Sequence, residues 1–197
     1  ALTALGPAYI KFGQILSTRP DIVGADLAEQ LKYLQDKLPP FPVDVAKAMI
    51  EAELALPVDQ IFSEFSEPVA AASIAQVHRA RLAETGADVA VKVLRPGIER
   101  AFRKDIDAFW FAARAIETLS PASRRLRPMD VIAHFEGVVL GELDLRLESA
   151  AAAEFAANIH ADAGFRVPKP VWAYSGRTVM TMDWVEGIAL ADNAALD

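Results

Sequence analysis

The sequence predicts an α+β fold in which a small antiparallel sheet is combined with several amphipathic helices. Two runs rich in β-forming residues, 74–82 and 89–94, flank a short segment that contains Gly86 and Asp88, which is typical of a β-hairpin. On both sides of this hairpin, apolar residues recur at three- and four-residue steps, the spacing of helices that bury one face. The chain is therefore expected to place a hairpin-based sheet between helical segments.

Four helical segments are expected before the hairpin. Pro7 lies in the first turn of one of them, where proline is tolerated, and Pro20 closes it. Leucines at spacings of four, three and four mark a second, and an apolar stripe of Val45, Met49 and Ile50 marks a third. The predicted ranges are 7–20, 25–38, 43–56 and, for a last short turn, 59–62.

The hairpin carries one lysine in an otherwise apolar strand. Side chains alternate between the two faces of a strand, so the three valines of 89–94 share one face and Lys92 lies on the other, between Ala90 and Leu94. Lys92 therefore shares its face with small apolar neighbours. The alternative is an ordinary buried hairpin whose lysine extends its ammonium group to solvent.

Two long helices and a second strand pair are expected after the hairpin. Apolar steps define the first helix, and the connector that follows it holds two prolines and three arginines and is expected to be exposed. The second helix gathers three carboxylates that require cations, for which Lys11 and Lys92 are candidates. The predicted ranges are helices at 98–119 and 129–159, the connector at 120–128, and strands at 171–174 and 178–184; the carboxylates are Glu142, Asp144 and Glu148.

Composition bounds the class of protein. The 197 residues are 53% hydrophobic and 24% charged, which is typical of a folded domain, and the net charge of −7 argues against nucleic-acid binding. The absence of cysteine excludes disulfides and cysteine nucleophiles and suits a cytoplasmic location. No window of about 18 apolar residues is present to span a bilayer. Because the chain starts at Ala1 and stops at Asp197 within unfinished segments, we expect a fragment of a longer protein.

The hairpin and the turn before it resemble the N-lobe of a protein kinase, in which a backbone loop covers the nucleotide phosphates and the lysine of a V-A-x-K strand reaches them. Here V-A-V-K ends at Lys92, but the glycine-rich loop is replaced. Alanine allows close backbone approach and resists positive φ, so a stiffer loop is expected. The replacement residues are Ala70, Ala71, Ala72, Ser73, Ile74 and Ala75.

With A-A-A-S-I-A-Q-V-H at 70–78 joined to V-A-V-K, the segment resembles the UbiB family of atypical kinase-like proteins, known for supporting ubiquinone synthesis. The family's K-x-G-Q motif matches Lys11, Gly13 and Gln14. The resemblance implies that the helix carrying this motif packs across the cleft, gates it, and partly occludes the place where a protein kinase takes its peptide.

The resemblance also assigns the acidic residues. The family's E-x-D motif matches Glu142 and Asp144, and in the family it meets the K-x-G-Q helix. Glu148 is the counterpart of the αC glutamate that pairs with the phosphate-binding lysine, Lys92. Ser149 departs from the alanine expected after that glutamate.

The segment T-V-M-T-M-D-W-V-E-G-I resembles a kinase hinge. On this resemblance Met182 is the gatekeeper beside the adenine, the Asp183 carbonyl accepts from the adenine amino group, and the Val185 N–H donates to the ring. An inner strand followed by a glycine would look similar. The triplet that starts at His160 imitates a catalytic loop, but it precedes the hinge and lacks the asparagine that should follow, so no catalytic role is expected for it.

The predicted architecture is a kinase-like N-lobe with an antiparallel sheet and an αC-type helix, plus the family's N-terminal helical extension, and no C-lobe. The extension is expected at 1–62, the N-lobe at 63–186 with a helical insertion at 97–128, and the start of a truncated C-lobe at 187–197.

For the intact protein the resemblance implies binding of ATP or ADP with Mg²⁺, and phosphotransfer or ATP hydrolysis in support of ubiquinone synthesis. It places the protein on the cytoplasmic face of the bacterial inner membrane, with a quinone-precursor lipid or ubiquinone-synthesis proteins as partners. No metal ligands are expected in this chain, which by itself should be inactive because no catalytic-loop asparagine and no D-F-G occur in it.

Two alternatives stay open. One is a non-catalytic, nucleotide-gated module that binds a lipid or acts as a chaperone for a quinone precursor. The other is a conventional Ser/Thr protein kinase, against which the K-x-G-Q helix argues.

Overall fold

The computed structural model describes residues 6–32, 38–119, 121–160, 162 and 164–187. The predicted α+β class is confirmed. The strands are β1 Phe62–Ala71, β2 Ala75–Leu82, β3 Asp88–Leu94 and β4 Val179–Asp183. The helices are α1 Pro7–Ser17, α2 Pro20–Val23, α3 Ala25–Lys32, α4 Val43–Leu54, α5 Val58–Ile61, α6 Ile98–Leu119, α7 Pro128–Glu142 and α8 Leu145–Asn158, and short 3₁₀ segments lie at Pro121–Leu126 and Trp172–Tyr174.

The sheet is antiparallel throughout and has the order β1-β2-β3-β4. Its centre is the predicted hairpin, in which Val77 lies opposite Lys92 and Arg79 opposite Ala90. The turn contains Gly86 at φ +69°, a conformation that favours glycine. The structure therefore forms the hairpin where the β-forming residues and turn residues predicted it.

Two apolar clusters pack on opposite faces of this sheet. The three valines of β3 contact α4 and α5 on one face, where Ile50 and Ile61 are buried. On the other face Leu94 and Met180 belong to a cluster with the helices α1, α6, α7 and α8. Lys92 alternates with the valines and so lies on this second, helix-covered face, as predicted.

A series of hydrogen-bonded polar groups is buried on the face of the sheet that packs against α4 and α5. The side chain of Gln76 accepts from the Phe41 N–H at 2.9 Å and donates to the Phe41 carbonyl at 3.1 Å. Its amide nitrogen also lies 2.9 Å from Nε2 of His78, whose Nδ1 lies 2.9 Å from the Ser66 carbonyl. Because that carbonyl can only accept, Nδ1 carries the proton and Nε2 accepts from Gln76. Burial lowers the pKa of His78, so the imidazole is neutral.

Several predicted elements differ from the structure. The first helix ends at Ser17, and Pro20 opens α2 instead of only closing α1. The helix predicted over 25–38 is described as Ala25–Lys32, and residues 33–37 lie outside the described part of the chain. The helix at 43–56 ends at Leu54, and the short turn expected at 59–62 is α5, Val58–Ile61.

The strand β1 was not predicted. Its burial does not alternate, because the pairing with β2 shifts register at three places, and it carries Pro68, which an edge strand tolerates. Ala70 and Ala71 therefore belong to a strand and not to a loop. Conversely, a strand was predicted at 171–174 and the structure does not form it. That segment holds the 3₁₀ turn Trp172–Tyr174, and one isolated bridge joins Pro170 and Met182.

The single helix predicted over 129–159 is also wrong. The chain breaks after Glu142, and Asp144 becomes the N-cap of a separate helix, α8. The connector between α6 and α7 contains a 3₁₀ segment, Pro121–Leu126, and is exposed over its described side chains. The helix predicted at 98–119 has the predicted bounds.

Candidate active site

Lys92 forms the ion pair with Glu148 that the resemblance to kinases implied. Its Nζ lies 2.6 Å and 2.8 Å from the two carboxylate oxygens of Glu148, in the first turn of α8. The Lys92 side chain is 21% exposed and that of Glu148 is 45% exposed, so the pair stands at the edge of the helix-covered face and in contact with solvent. This arrangement holds the ammonium in one place while leaving it accessible to a ligand.

The helix that carries Glu148 is fixed at its first turn from two sides. Its N-cap, Asp144, accepts from the Arg146 N–H at 3.1 Å, and the Leu145 N–H donates to the Arg177 carbonyl at 2.9 Å. Ser149, where alanine was expected, is buried and donates its hydroxyl to the Leu145 carbonyl at 2.9 Å. The serine is therefore accommodated within the helix.

The two carboxylates of the E-x-D motif pair with different residues. Glu142 lies 2.7 Å from Nζ of Lys11, so the acidic motif meets the K-x-G-Q helix as expected. The Asp144 carboxylate instead binds Arg146 at 2.6 Å, and hydrogen bonding to this guanidinium lowers the pKa of Asp144. Among the described residues, only Glu142 of the motif pairs with Lys11.

The K-x-G-Q helix, α1, is anchored on the helical side of the molecule. Phe12 lies 5.0 Å, between ring centroids, from both Phe109 of α6 and Phe135 of α7. Gly13 is buried, and Gln14 is half-buried with its carbonyl accepting from the Ser17 hydroxyl. Together with the Lys11 to Glu142 ion pair, these contacts fasten α1 close to the point where α7 ends and α8 begins.

The alanine-rich segment forms a tight turn between β1 and β2. The Ala72 N–H donates to the Ala75 carbonyl at 2.8 Å, and the intervening Ser73 and Ile74 are buried. None of the residues 70–75 has a positive φ, so alanine is unstrained in this turn. Ala75 pairs with Leu94, two positions from Lys92, which puts the turn about 7 Å along the strand from the lysine.

The predicted hinge spans the end of the last strand, β4. Met182 lies opposite Ala90, and Asp183 is the last residue of β4. The Trp184 N–H donates to the Asp88 carbonyl at 3.2 Å, and Val185 lies in the irregular, exposed segment beyond. The strand β4 thus ends at Asp183, and an irregular segment follows it at the position predicted for the hinge.

Sequence reasoning missed Arg79 at this hinge. Its guanidinium lies 4.9 Å from the ring centroid of Trp184 and 2.7 Å from the Asp88 carboxylate. Trp184 is thereby held over the end of the sheet. The signal was weak, because an arginine in a strand is usually a solvated surface residue; only the pairing of Arg79 with Ala90 places it on the lysine face.

His160 lies at the end of α8, where its Nδ1 is 2.7 Å from the Ala157 carbonyl. This contact is local to the helix end. His134 is exposed on α7.

An apolar groove of about 690 Å³ lies apart from these residues, between α1, α2, α6 and α7. Its lining includes Phe12, Leu16, Phe109, Ile116, Leu119 and Leu126. Arg124 and Arg125 are exposed in the 3₁₀ segment that also contributes Leu126. No helix in the described part of the chain is both long and apolar enough to cross a membrane.

The sheet, the lysine strand, the helix bearing its glutamate and the segment after β4 define a protein-kinase-like N-lobe. Residues 33–197 match the family described as the ABC1 atypical kinase-like domain. The chain belongs to this family, and the predicted relationship to UbiB is confirmed by the names of its relatives.

Three relatives are each named "Probable protein kinase UbiB". The protein of Marinobacter nauticus is 43% identical over 198 residues, which cover 100% of this chain and 36% of the relative. That of Pseudomonas paraeruginosa is 43% identical over 193 residues, 98% of this chain and 36% of the relative. That of Aeromonas hydrophila is 41% identical over 198 residues, with coverage of 100% and 36%. The chain therefore spans about 36% of the length of these relatives.

Proposed function

We propose that this chain supplies the N-lobe half of a nucleotide site in an atypical kinase or ATPase that supports ubiquinone synthesis. The observation that carries the proposal is the Lys92 to Glu148 ion pair, 2.6 Å long, on the sheet face that leads into the hinge segment. A held but accessible ammonium is the donor that nucleotide phosphates require, and the chemistry of the site fits that ligand.

Different residues bind the phosphates and the adenine of the nucleotide. Lys92 binds the α- and β-phosphates and Glu148 orients it, while backbone N–H groups of the alanine-rich segment 70–75, with its turn at 72–75, approach the phosphates. Met182 lines the adenine pocket, the Asp183 carbonyl accepts from the adenine, and the Val185 N–H donates to it. Mg²⁺ neutralises phosphate charge when bound, and we place its ligands outside the described residues.

The ion pair between Lys11 and Glu142 gates this site. It joins α1 to the last residue of α7, three residues before α8 begins, so a movement of α1 is transmitted to the helix that carries Glu148. Gly13 and Gln14 take part through the packing of α1, and Asp144 takes part by capping α8. On this division, 1–62 is a regulatory extension, 63–186 is the N-lobe with its insertion at 97–128, and 187–197 is the start of a C-lobe; residues 1–5 and 188–197 lie outside the described residues.

The intact protein transfers or hydrolyses the γ-phosphate of ATP at the cytoplasmic face of the bacterial inner membrane. Its partners are a quinone-precursor lipid or other proteins of ubiquinone synthesis. Because the catalytic-loop asparagine and D-F-G do not occur in these 197 residues, the chain alone does not catalyse turnover.

The test is magnesium-dependent ATP binding and hydrolysis by the full-length protein, with and without anionic liposomes. We expect Lys92→Ala to reduce hydrolysis by about a hundredfold or more, the cost of removing a stabilising charge from a phosphoryl-transfer site. Lys11→Ala should change the rate or the preference between ATP and ADP. Lys104→Ala, an exposed lysine on α6, is the matched control. Unchanged hydrolysis in Lys92→Ala would contradict the assignment.

A second candidate function is favoured by the apolar groove between α1, α2, α6 and α7. A nucleotide-gated lipid-binding module would hold the isoprenoid tail of a quinone precursor there, with the arginines of Pro121–Leu126 at the polar end. This function requires binding without turnover. Ile116→Glu, which puts a charge into the groove, should then abolish binding of a polyprenyl phenol, whereas Phe111→Glu, on an exposed side chain of the same helix, should not.

A further inference from the structure

Arg95 directly follows β3, the strand that carries Lys92, and it contacts the turn at residues 72–75, the alanine turn, through both its main chain and its side chain. Its N–H donates to the Ile74 carbonyl at 2.8 Å. Its guanidinium donates twice to the Ala72 carbonyl, from Nε at 3.0 Å and from Nη2 at 2.8 Å. Two carbonyls of the turn are therefore fixed toward the same residue, three positions beyond Lys92.

The same guanidinium reaches a second segment. Nη1 donates to the Pro39 carbonyl at 2.9 Å and Nη2 to the Leu38 carbonyl at 3.2 Å. This linker, residues 38–42, precedes α4, and its Phe41 is bound through both backbone groups by the side chain of Gln76. Arg95 and Gln76 thus attach the linker to the start of β2.

The direction of these hydrogen bonds determines how the turn presents its donors. In a trans peptide the C=O and N–H point in opposite directions. Because the carbonyls of Ala72 and Ile74 point toward Arg95, the following N–H groups, those of Ser73 and Ala75, point away from it. Glycine is conformationally permissive, so a glycine-rich loop is not held in one orientation by its own backbone, whereas here the Arg95 side chain restrains the turn.

We infer that Arg95 is a positioning residue for nucleotide phosphate: it holds the alanine turn in its phosphate-binding orientation and couples that turn to the linker at residues 38–42. This inference rests on the proposed nucleotide site and adds a residue to it. Only arginine fits the position, because a planar fork with five N–H donors reaches three carbonyls at once and a lysine ammonium does not.

The experiment compares ADP with adenosine in the full-length protein, by ligand-observed NMR titration, which registers weak binders. Adenosine affinity measures binding at the hinge alone, and ADP affinity also includes binding of the phosphates at the turn. In Arg95→Lys we expect the affinity for ADP to fall about tenfold, the effect of losing charge-assisted hydrogen bonds, with adenosine affinity unchanged. Arg100→Lys, an exposed arginine on the neighbouring helix, should alter neither. Amide exchange should rise at Ala72–Ala75 in Arg95→Lys and stay constant in β3.

Each other outcome contradicts the inference. An equal loss of ADP and adenosine affinity means that Arg95 only stabilises the fold, and retained ADP affinity means that the turn does not depend on it. If the wild type binds ADP, and the ratio of ADP affinity to adenosine affinity is the same in Arg95→Lys, this inference fails and the proposed function stands. If the wild type binds neither ligand, the proposed function fails, and the role of Arg95 with it.

Discussion

On one face of the sheet, the valines of β3 pack against α4 and α5, and each is at most 1% exposed. On the other face of the same strand, Lys92 is 21% exposed and its charge is met by one carboxylate from α8. A strand with a period of two can therefore serve stability with one set of side chains and ligand binding with the other. Substitutions on the two faces should have separable effects, and the following predictions test that separation.

The largest effect is expected on the buried face. Ile50 of α4 is fully buried against the valines, so Ile50→Ala should leave a cavity and lower the free energy of unfolding by about 2–5 kcal/mol. Urea unfolding of the full-length protein measures this loss. Leu56→Ala, at an exposed leucine, should cost less than about 0.5 kcal/mol. Folded Ile50→Ala protein should retain its nucleotide affinity; a selective loss of affinity would break the separation between the faces.

A smaller loss is expected from the polar chain on the same face. Gln76→Leu removes the partner of the Phe41 N–H and carbonyl and of Nε2 in His78. Phe41 is half-buried, so water replaces part of what is lost, and we expect about 2 kcal/mol. Hydrogen exchange of the Phe41 amide should rise in parallel. Full protection of that amide in the variant would show that the linker does not depend on Gln76.

The buried histidine makes this face sensitive to pH. Burial lowers the pKa of His78 in the folded state, so below the usual value of 6.5 the unfolded chain binds a proton that the folded protein does not. The free energy of unfolding should therefore fall as the pH drops below 6.5, with a slope of at most about 1.4 kcal/mol per pH unit from this one group. Comparison of urea midpoints between pH 7.5 and 5.5 measures the slope. His78→Asn should flatten it, and His134→Asn, at an exposed histidine, should not.

The smallest change in stability is expected on the lysine face. Both ion pairs, Lys92 to Glu148 and Lys11 to Glu142, are partly exposed, so Lys92→Met and Lys11→Met should each change the free energy of unfolding by less than about 1 kcal/mol. Lys92→Met should nevertheless lose nucleotide affinity, as measured by titration with ADP. A stability loss comparable to that of Ile50→Ala would mean that the two faces are not independent.

Local signals in the sequence were strong in two places. The hairpin formed as predicted because β-forming residues, a turn with Gly86 and the alternation around Lys92 all favour the same structure. The helix Ile98–Leu119 has the predicted bounds because its apolar residues recur at helical spacing over about six turns. Pro96 lies just before it, and the 3₁₀ segment after it begins at Pro121. The partners of Lys11 and Lys92 came from resemblance, since nothing local relates residues 56 or more positions apart.

Other features depended on contacts that a local pattern does not contain. β1 has no alternation, and its strand conformation comes from pairing with β2 across three register shifts. The break between α7 and α8 has no proline; it is set by the Asp144 cap and by the Arg177 carbonyl, which arrives from the turn before β4. Arg95 gave no signal either, because its carbonyl partners at 38, 39 and 72 lie far from it in sequence.

The sequence by itself determined the class of fold, the face on which Lys92 lies and the family to which the motifs belong, because periodicity and turn chemistry act within a few residues. Only the tertiary structure decided where the helix that carries Glu148 begins, which carboxylate meets Lys11, and how Arg95 holds the alanine turn. Those contacts join segments dozens of residues apart, and their geometry exists only once the sheet and helices have packed.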